Sequence, residues 1–357
     1  MNAQPLFNGN IAGMTWRGST GGKELRRYNF TYDAANRLIK ADFGQNTSGS
    51  NYDKSAGIDF SSWMGNGINS DPNVAAYDLN GNILAMIQRG LYGGSSQTID
   101  QLTYTYQTGS NKLAKVADAA TPTTGLGDFN DGANTDDDYA YDVNGNLTLD
   151  KNKNIQSIAY NILNLPDQIT VAGKGNILYQ YDATGNKLSK TVNETGQPQK
   201  VTTYLGNLIF ENNVLQHVAT EEGRARMVTL PSGEPRWAFD YFLKDHLGNV
   251  RAMVADNGTV LEETSYYPFG LIQKGISTRQ TGNLHNKEKT FQDQQIDEDL
   301  DLNWVQFKYR NHDSQIGRFI EVDPLANDYV YNSTYAFSEN KVVRHVELVY
   351  SFGEPRH

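Results

Sequence analysis

The sequence contains no cysteine, which excludes a disulfide framework and any Cys-based zinc site. Basic residues are not in excess: 31 Lys and Arg stand against 41 Asp and Glu, a formal net charge of −10. Neutralising phosphate requires clustered cations, so general nucleic-acid binding is excluded, and an anionic membrane surface would repel the chain for the same reason. No apolar run approaches the roughly 18 residues that span a bilayer, so no transmembrane segment is expected. The opening MNAQPLFNGNIAG carries neither a basic n-region nor an apolar h-region. If the protein is exported, its signal is expected on a longer parent chain or in a dedicated secretion route. Helix signals are scarce, and the best of them is Asn286–Leu300, rich in acidic and amide residues. There is no G-x-S-x-G elbow, P-loop or dinucleotide fingerprint. The six histidines, His217, His246, His285, His312, His345 and His357, show no H-E-x-x-H or other close ligand spacing, and each reads as a surface or turn residue.

What is abundant is turn and aromatic chemistry. With 33 Gly, 21 Tyr and 38% hydrophobic residues, the composition is that of turn-rich β-structure. The 357 residues allow one large domain or a few ordinary ones. A unit recurs as FTYDAANRLIKADF from Phe30, AYDLNGNILAMI from Ala76, YTYQTGSNKLAKV from Tyr104, YAYDVNGNLTLD from Tyr139 and YQYDATGNKLSKTV from Tyr179. Its consensus is aromatic-x-Tyr-Asp-x-x-Gly-Asn-x-Leu. The Tyr belongs to a strand, the Asp side chain starts a turn, and Gly or Asn takes a left-handed conformation before the return strand. Each unit is therefore a β-hairpin, and a lone hairpin cannot bury its apolar face, so neighbours must stack into a continuous sheet. The irregular spacing of Tyr32, Tyr77, Tyr106, Tyr141, Tyr160 and Tyr181 disfavours a propeller or short-period solenoid.

Three inserts interrupt the pattern. Gln45–Asp71 and Thr121–Asp138, rich in Gly, Asn, Ser and Asp, read as surface loops. Glu221–Trp237 reads as a border between the repeats and a C-terminal core. The loops starting at Asp78, Asp142 and Asp182 begin like calcium loops, yet their Gly comes too early and Arg89, Lys153 and Asn193 stand where an acid is needed. They read as turns. Asp128, Asp131, Asp136, Asp137 and Asp138 form a denser acidic insert, read as a solvated loop. No metal and no cofactor is expected.

Downstream, DHLGNVR from Asp245, YYPFG from Tyr266 and YRNHDSQIGRFIEVDP from Tyr309 stand in that order over about eighty residues. Here the sequence resembles the Rhs/YD-repeat proteins, whose "RHS repeat-associated core" carries D-x-x-G-S/N-x-R, then Y-x-P-F-G, then G-R-F-x-x-x-D-P. The resemblance implies an all-β fold: YD-repeat hairpins forming a curved or spiralling sheet, part of a hollow shell, closed by the core. It divides the chain into a repeat array over residues 1–236, a core over 237–348 and a short atypical tail over 349–357. The implied setting is a secreted or cell-surface bacterial protein of intercellular competition. Its partners would be the rest of a longer Rhs chain or neighbouring copies, with a toxin domain or a surface glycan as further candidates.

In relatives, such a core ends in an intramolecular aspartyl protease built from two Asp and a supporting Arg, which frees a C-terminal toxin. Residue matching assigns Asp323 to the first Asp and Arg318 to the Arg. At the second position this chain departs from the pattern, and the only acid at that spacing is Glu347. A Glu sets its carboxylate over an ångström away from an Asp position, and a cut near Leu348 would free only Val349–His357. The competing reading makes Asp323-Pro324 a strand-ending turn and Arg318 and Glu321 exposed strand charges. The sequence thus points to a non-catalytic shell fragment. Its alternatives are an adhesin or carbohydrate-binding module, suggested by the aromatic content, and a self-cleaving protease.

Overall fold

The computed structural model describes residues 5–19, 24–49, 51–65, 75–120, 125–132 and 135–347. Among these the chain is all-β, with no α-helix and only four short 3-10 turns. The element that generates the fold is the Asp turn. In three of the five copies, those that keep Asp-x-x-Gly-Asn, one Asp oxygen accepts the backbone N–H groups two and four residues on: Asn80 and Asn82 at Asp78 (2.9 and 2.8 Å), Asn144 and Asn146 at Asp142, Thr184 and Asn186 at Asp182. The other oxygen takes the Asn side chain of the fourth residue, as Asn82 Nδ2 to Asp78 at 2.7 Å. The Gly N–H closes the turn on the Asp carbonyl with a positive φ, +84° at Gly81 and +88° at Gly145. The carboxylates that resemble calcium ligands are thus occupied by N–H groups. Asp245 of the DHLGN block makes the same contacts with Leu247, Asn249 and the Asn249 side chain. Asn161 replaces Asp in another copy and accepts Leu163 and Leu165 N–H through Oδ1.

A second device joins successive units. The repeat Tyr donates its hydroxyl to the carbonyl of the apolar residue that follows the preceding turn: Tyr77 to Leu38 (2.5 Å), Tyr106 to Ile83 (2.7 Å), Tyr160 to Leu147 (2.7 Å). Sequence-adjacent units are therefore space-adjacent, which gives sheets in nearly sequential strand order.

Two compact units result. Of the described residues, one unit draws on 1–140, 264–278 and 312–347, the other on 141–263 and 279–311. The first holds an eight-stranded antiparallel sheet running from Gly13–Arg17 to Leu113–Asp118. Its inward side chains Tyr28, Phe43 and Phe60 pack edge to face at 5.5–5.8 Å between ring centroids. Residues 264–278 and 312–347 pack onto that sheet: Tyr267 donates to Arg89 O, Gln273 Nε2 to the Tyr28 hydroxyl, and Tyr104 to Ile316 O. The second unit holds most of a thirteen-stranded antiparallel sheet in consecutive order, out to Val260–Glu263, onto which residues 279–311 dock.

Several expectations are corrected. Asn286–Leu300 is not helical: it contains turns at Phe291–Asp293 and Asp299–Asp301 around the strand Gln295–Asp297, and left-handed residues at Gln292 (φ 50°) and Leu300 (φ 53°) break any helix. Gln45–Asp71 is not a plain surface loop. It contributes the end of the strand Leu38–Ser48 and the strands Asn51–Asp53 and Ser62–Met64, and it buries Asp59, Phe60 and Ser61; its residues 66–71 lie outside the described ones. Alternation of Phe60, Ser62 and Met64 toward the core outweighs the polar composition. In Thr121–Asp138, likewise, Asp128, Phe129 and Asp138 are buried, and Asp138 accepts the Val116 N–H at 2.9 Å. Independently of any domain border there, Gly223–Thr229 within Glu221–Trp237 is a strand, paired with the following one from Gly223↔Tyr241 to Thr229↔Pro235.

Candidate functional site

The three residues matched to a protease all lie in the first unit, and each has its own set of partners. Arg318 sits on a two-residue strand paired through Asp313↔Arg318. It is 5% exposed, its guanidinium lies between the rings of Tyr106 (5.1 Å) and Tyr335 (5.0 Å), and Nη2 donates to Asn111 O at 2.8 Å. Asp323 accepts Leu325 N–H at 2.8 Å while its carbonyl takes Ala326 N–H, the same local contacts that the repeat Asp makes. Glu347 accepts the Ser338 N–H at 2.8 Å. Arg318 and Glu321 are buried, not exposed strand charges, and the rings of Tyr106 and Tyr335 are what flank the Arg318 guanidinium.

The histidines also depart from a uniform surface role. His312 is fully buried, stacked on Phe337 at 4.0 Å, with Nε2–H donating to Phe269 O at 2.7 Å. His285 is clamped between two carboxylates of the second unit, Nδ1–H to Glu262 at 2.7 Å and Nε2 at 3.3 Å from Glu298. Burial disfavours its charged form, but both glutamates outweigh burial and raise its pKa. His217 is buried, and its Nε2 has no hydrogen-bond partner among the described residues. His357 lies outside the described residues.

His217 and His285 share a cleft of about 460 Å³ in the second unit, which the sequence did not reveal. One wall is the strands carrying Lys190, Lys200, Thr202, Tyr204, Ile209 and His217, and the other is the connector from Arg279 to Asp299. Its charges are mostly answered from within. Lys190 pairs with Asp297 (3.2 Å) and Asp299 (2.7 Å), Lys200 with Asp299, Arg224 with Asp240 (2.9 Å) and Arg279 with Glu298 (2.6 Å). Burial opposes the Lys190 charge, yet Asp297 and Asp299 push its pKa well above the usual lysine value. Burial works against Asp299 as well, but Lys190 and Lys200 hold it down at about 2. Nearby Lys187 is pushed down to about 8 by burial and by Lys190. Burial raises Glu288, against the pull of Lys190 and Lys187. His217 is pushed down to about 4 by burial and by Arg224, which keeps the imidazole neutral.

The fold is shared with TcdB2-TccC3 chains. A TcdB2-TccC3 crystal structure superposes with a TM-score of 0.56 and 15% identity, covering 95% of this chain and 18% of the other. A TcdB2-TccC3-Cdc42 structure gives 0.57 and 16%, covering 94% and 17%. A Photorhabdus luminescens Tc holotoxin pore gives 0.56 and 15%, covering 97% and 18%. The chain thus spans less than a fifth of the length of these structural neighbours. No protein-family model matches the sequence, and no curated protein does. Among the described residues no helix is long and apolar enough to cross a membrane.

Proposed function

We propose that the chain is a non-catalytic stretch of Rhs-type β-shell wall that, within a longer chain or assembly, helps enclose a toxin polypeptide. The observation that carries this reading is the consecutive antiparallel sheet built from tyrosine-linked Asp turns, whose fold is that of TcdB2-TccC3 chains. A wall extended one hairpin at a time needs this arrangement, because each unit buries its apolar face only against the next. The sheet face supports the reading too. On Pro235–Lys244, Trp237, Phe239, Tyr241 and Leu243 alternate outward, with Met227 beside Trp237 in register, leaving an exposed apolar stripe. Such a stripe suits contact with a polypeptide that has not buried its own apolar residues.

Secretion or surface display follows from the same reading, as does pairing with further wall segments. Electron microscopy of the natural gene product, read through both flanks of this segment, tests it. A hollow particle with this chain in its wall is the expected result; a solid or extended particle overturns the proposal.

A further inference from the structure

Residues 279–285 close one side of the cleft in the second unit: Arg279, Gln280, Thr281, Gly282, Asn283 and His285 all line it. The middle of this segment, 281–283, is exposed, and Gly282 has φ +60° with open space where a Cβ would stand, so the backbone there has room to move. Its two ends are tied to the same two carboxylates. At the start, Gln280 N–H donates to Glu262 at 2.8 Å and Arg279 pairs with Glu298 at 2.6 Å. At the far end, His285 Nδ1 meets Glu262 at 2.7 Å and Nε2 stands 3.3 Å from Glu298, while Asn286 N–H donates to Glu262 at 3.3 Å. Glu262 belongs to Val260–Glu263, the last strand of the thirteen-stranded sheet, so these ties hold the segment to the sheet.

A histidine between two carboxylates is a tie that depends on a proton. The imidazolium has an N–H on each nitrogen and serves both acids. The neutral ring keeps one N–H, so its other nitrogen turns a lone pair toward a carboxylate and attraction on that side becomes repulsion. The guanidinium groups nearby are charged at any working pH: Arg279 on Glu298, and Arg224, paired with Asp240, donating to Leu284 O (2.7 Å) and His285 O (3.2 Å). Lys287 acts on Glu298 from the connector itself. Of the other titrating side chains in this unit, His217 is neutral down to about 4, and Lys187, at about 8, is held by Gln295 and Gln306. We propose that residues 279–285 are a lid on the cleft, shut while a charged His285 bridges Glu262 and Glu298 and loosened when its proton is lost. Both glutamates raise the pKa of this histidine, which puts the loosening on the alkaline side of 6.5. Loosening also uncovers Leu261 O on the edge strand, which Gln280 Nε2 caps at 2.8 Å. The lid is independent of the wall reading, since a wall with or without it would look the same in the microscope.

The test is hydrogen exchange of the whole chain between about pH 6 and 9, corrected for the intrinsic exchange rate at each pH. Peptides spanning 279–286 should lose protection about tenfold as pH rises, the scale of one charge-assisted contact, while the sheet strand Gly175–Tyr181 keeps its own. Glu298→Gln removes one of the two carboxylates and should move the loss to lower pH. His285→Gln should leave 279–286 weakly protected at every pH. Protection that stays flat across the range in the unaltered chain overturns the lid. A loss with the same pH course in His285→Gln, or with the same midpoint in Glu298→Gln, overturns it too. So does a matching loss in Gly175–Tyr181, which would make the opening global.

Discussion

At Asp78 one carboxylate oxygen holds two backbone N–H groups and the other holds the Asn82 side chain, so a single residue fixes the turn from three directions. Charged acceptors of this kind contribute more than neutral ones, and Asp78→Ala should cost roughly 2 kcal/mol in urea unfolding. Asp78→Asn should cost less than half of that. Asn161 shows why: at the equivalent position its Oδ1 keeps both backbone contacts without a charge. An Asn variant as damaging as Ala would mean that the charge, not the geometry, sets the turn. The tyrosine link is separable, because Tyr77→Phe keeps the ring and removes only the bond to Leu38 O, at a cost of about 1 kcal/mol. These contacts were legible in the sequence since all but the tyrosine link lie within five residues. The target of the tyrosine hydroxyl was not, because its acceptor lies a whole unit upstream.

Among the elements, the connector at 279–311 shows where reading by composition fails. Its acidic and amide residues suggest a solvated helix, but they are partners for the sheet: Asp297 and Asp299 for Lys190, Asp301 for Lys174, Gln295 and Gln306 for Lys187. A polar segment docked on a polar sheet face carries no apolar periodicity, so neither its path nor the cleft beneath it can be read from one sequence. Two histidines beside that cleft have opposite pH signatures. His285 has a raised pKa in the fold, set by Glu262 and Glu298 with Arg279 bonded to the latter, so the native state binds the extra proton. Its contribution is full below the unfolded value near 6.5 and is lost as pH rises through the folded pKa. His217, facing Arg224 and Asp240, is neutral down to about 4 in the fold, so the unfolded state binds more protons between 4 and 6.5 and stability falls as pH drops through that window. Urea midpoints across pH should therefore decline on both sides, with His285→Gln flattening the alkaline limb and His217→Gln the acid one. Either variant flattening the opposite limb would reverse the assignment. The C-terminal elements carry a further proposal, that the chain does not cut itself. Aspartyl-protease chemistry needs two carboxylates sharing a proton, whereas Asp323 takes Leu325 N–H and Glu347 takes Ser338 N–H. Intact mass after a day's incubation should be unchanged and equal in pattern to Asp323→Asn, while loss of a peptide in the wild type alone would establish an active pair.

For the whole molecule, the decisive property is that each main sheet ends in strands paired on one side only. Among the described residues Gly13–Arg17 pairs only with Leu25–Tyr32, and Val260–Glu263 pairs as a strand only with Val250–Ala255, although there Gln280 covers part of the edge by donating Nε2 to Leu261 O. An unpaired strand edge presents free N–H and C=O groups, and proteins protect such edges with charge, proline or cover. On Gly13–Arg17 the only charge is Arg17 and there is no proline. In a shell these edges would meet the next hairpin, as every interior strand here does. Isolated, they should meet another copy instead, so light scattering should show association that grows with concentration. Thr15 is exposed on that edge strand, and Thr15→Lys, by placing a repelling charge there, should lower the associated fraction while leaving the thermal midpoint within about 1 °C, the scale of a surface substitution. The exposed apolar stripe of Trp237, Phe239, Tyr241 and Leu243 offers a second route to association, so the Thr15 variant separates the two. If association persists undiminished in Thr15→Lys but disappears in Trp237→Ser/Phe239→Ser, the apolar face and not the edge is what another copy covers. A clean monomer at high concentration in the unaltered chain would mean that it closes on itself, and the wall reading would lose its physical basis.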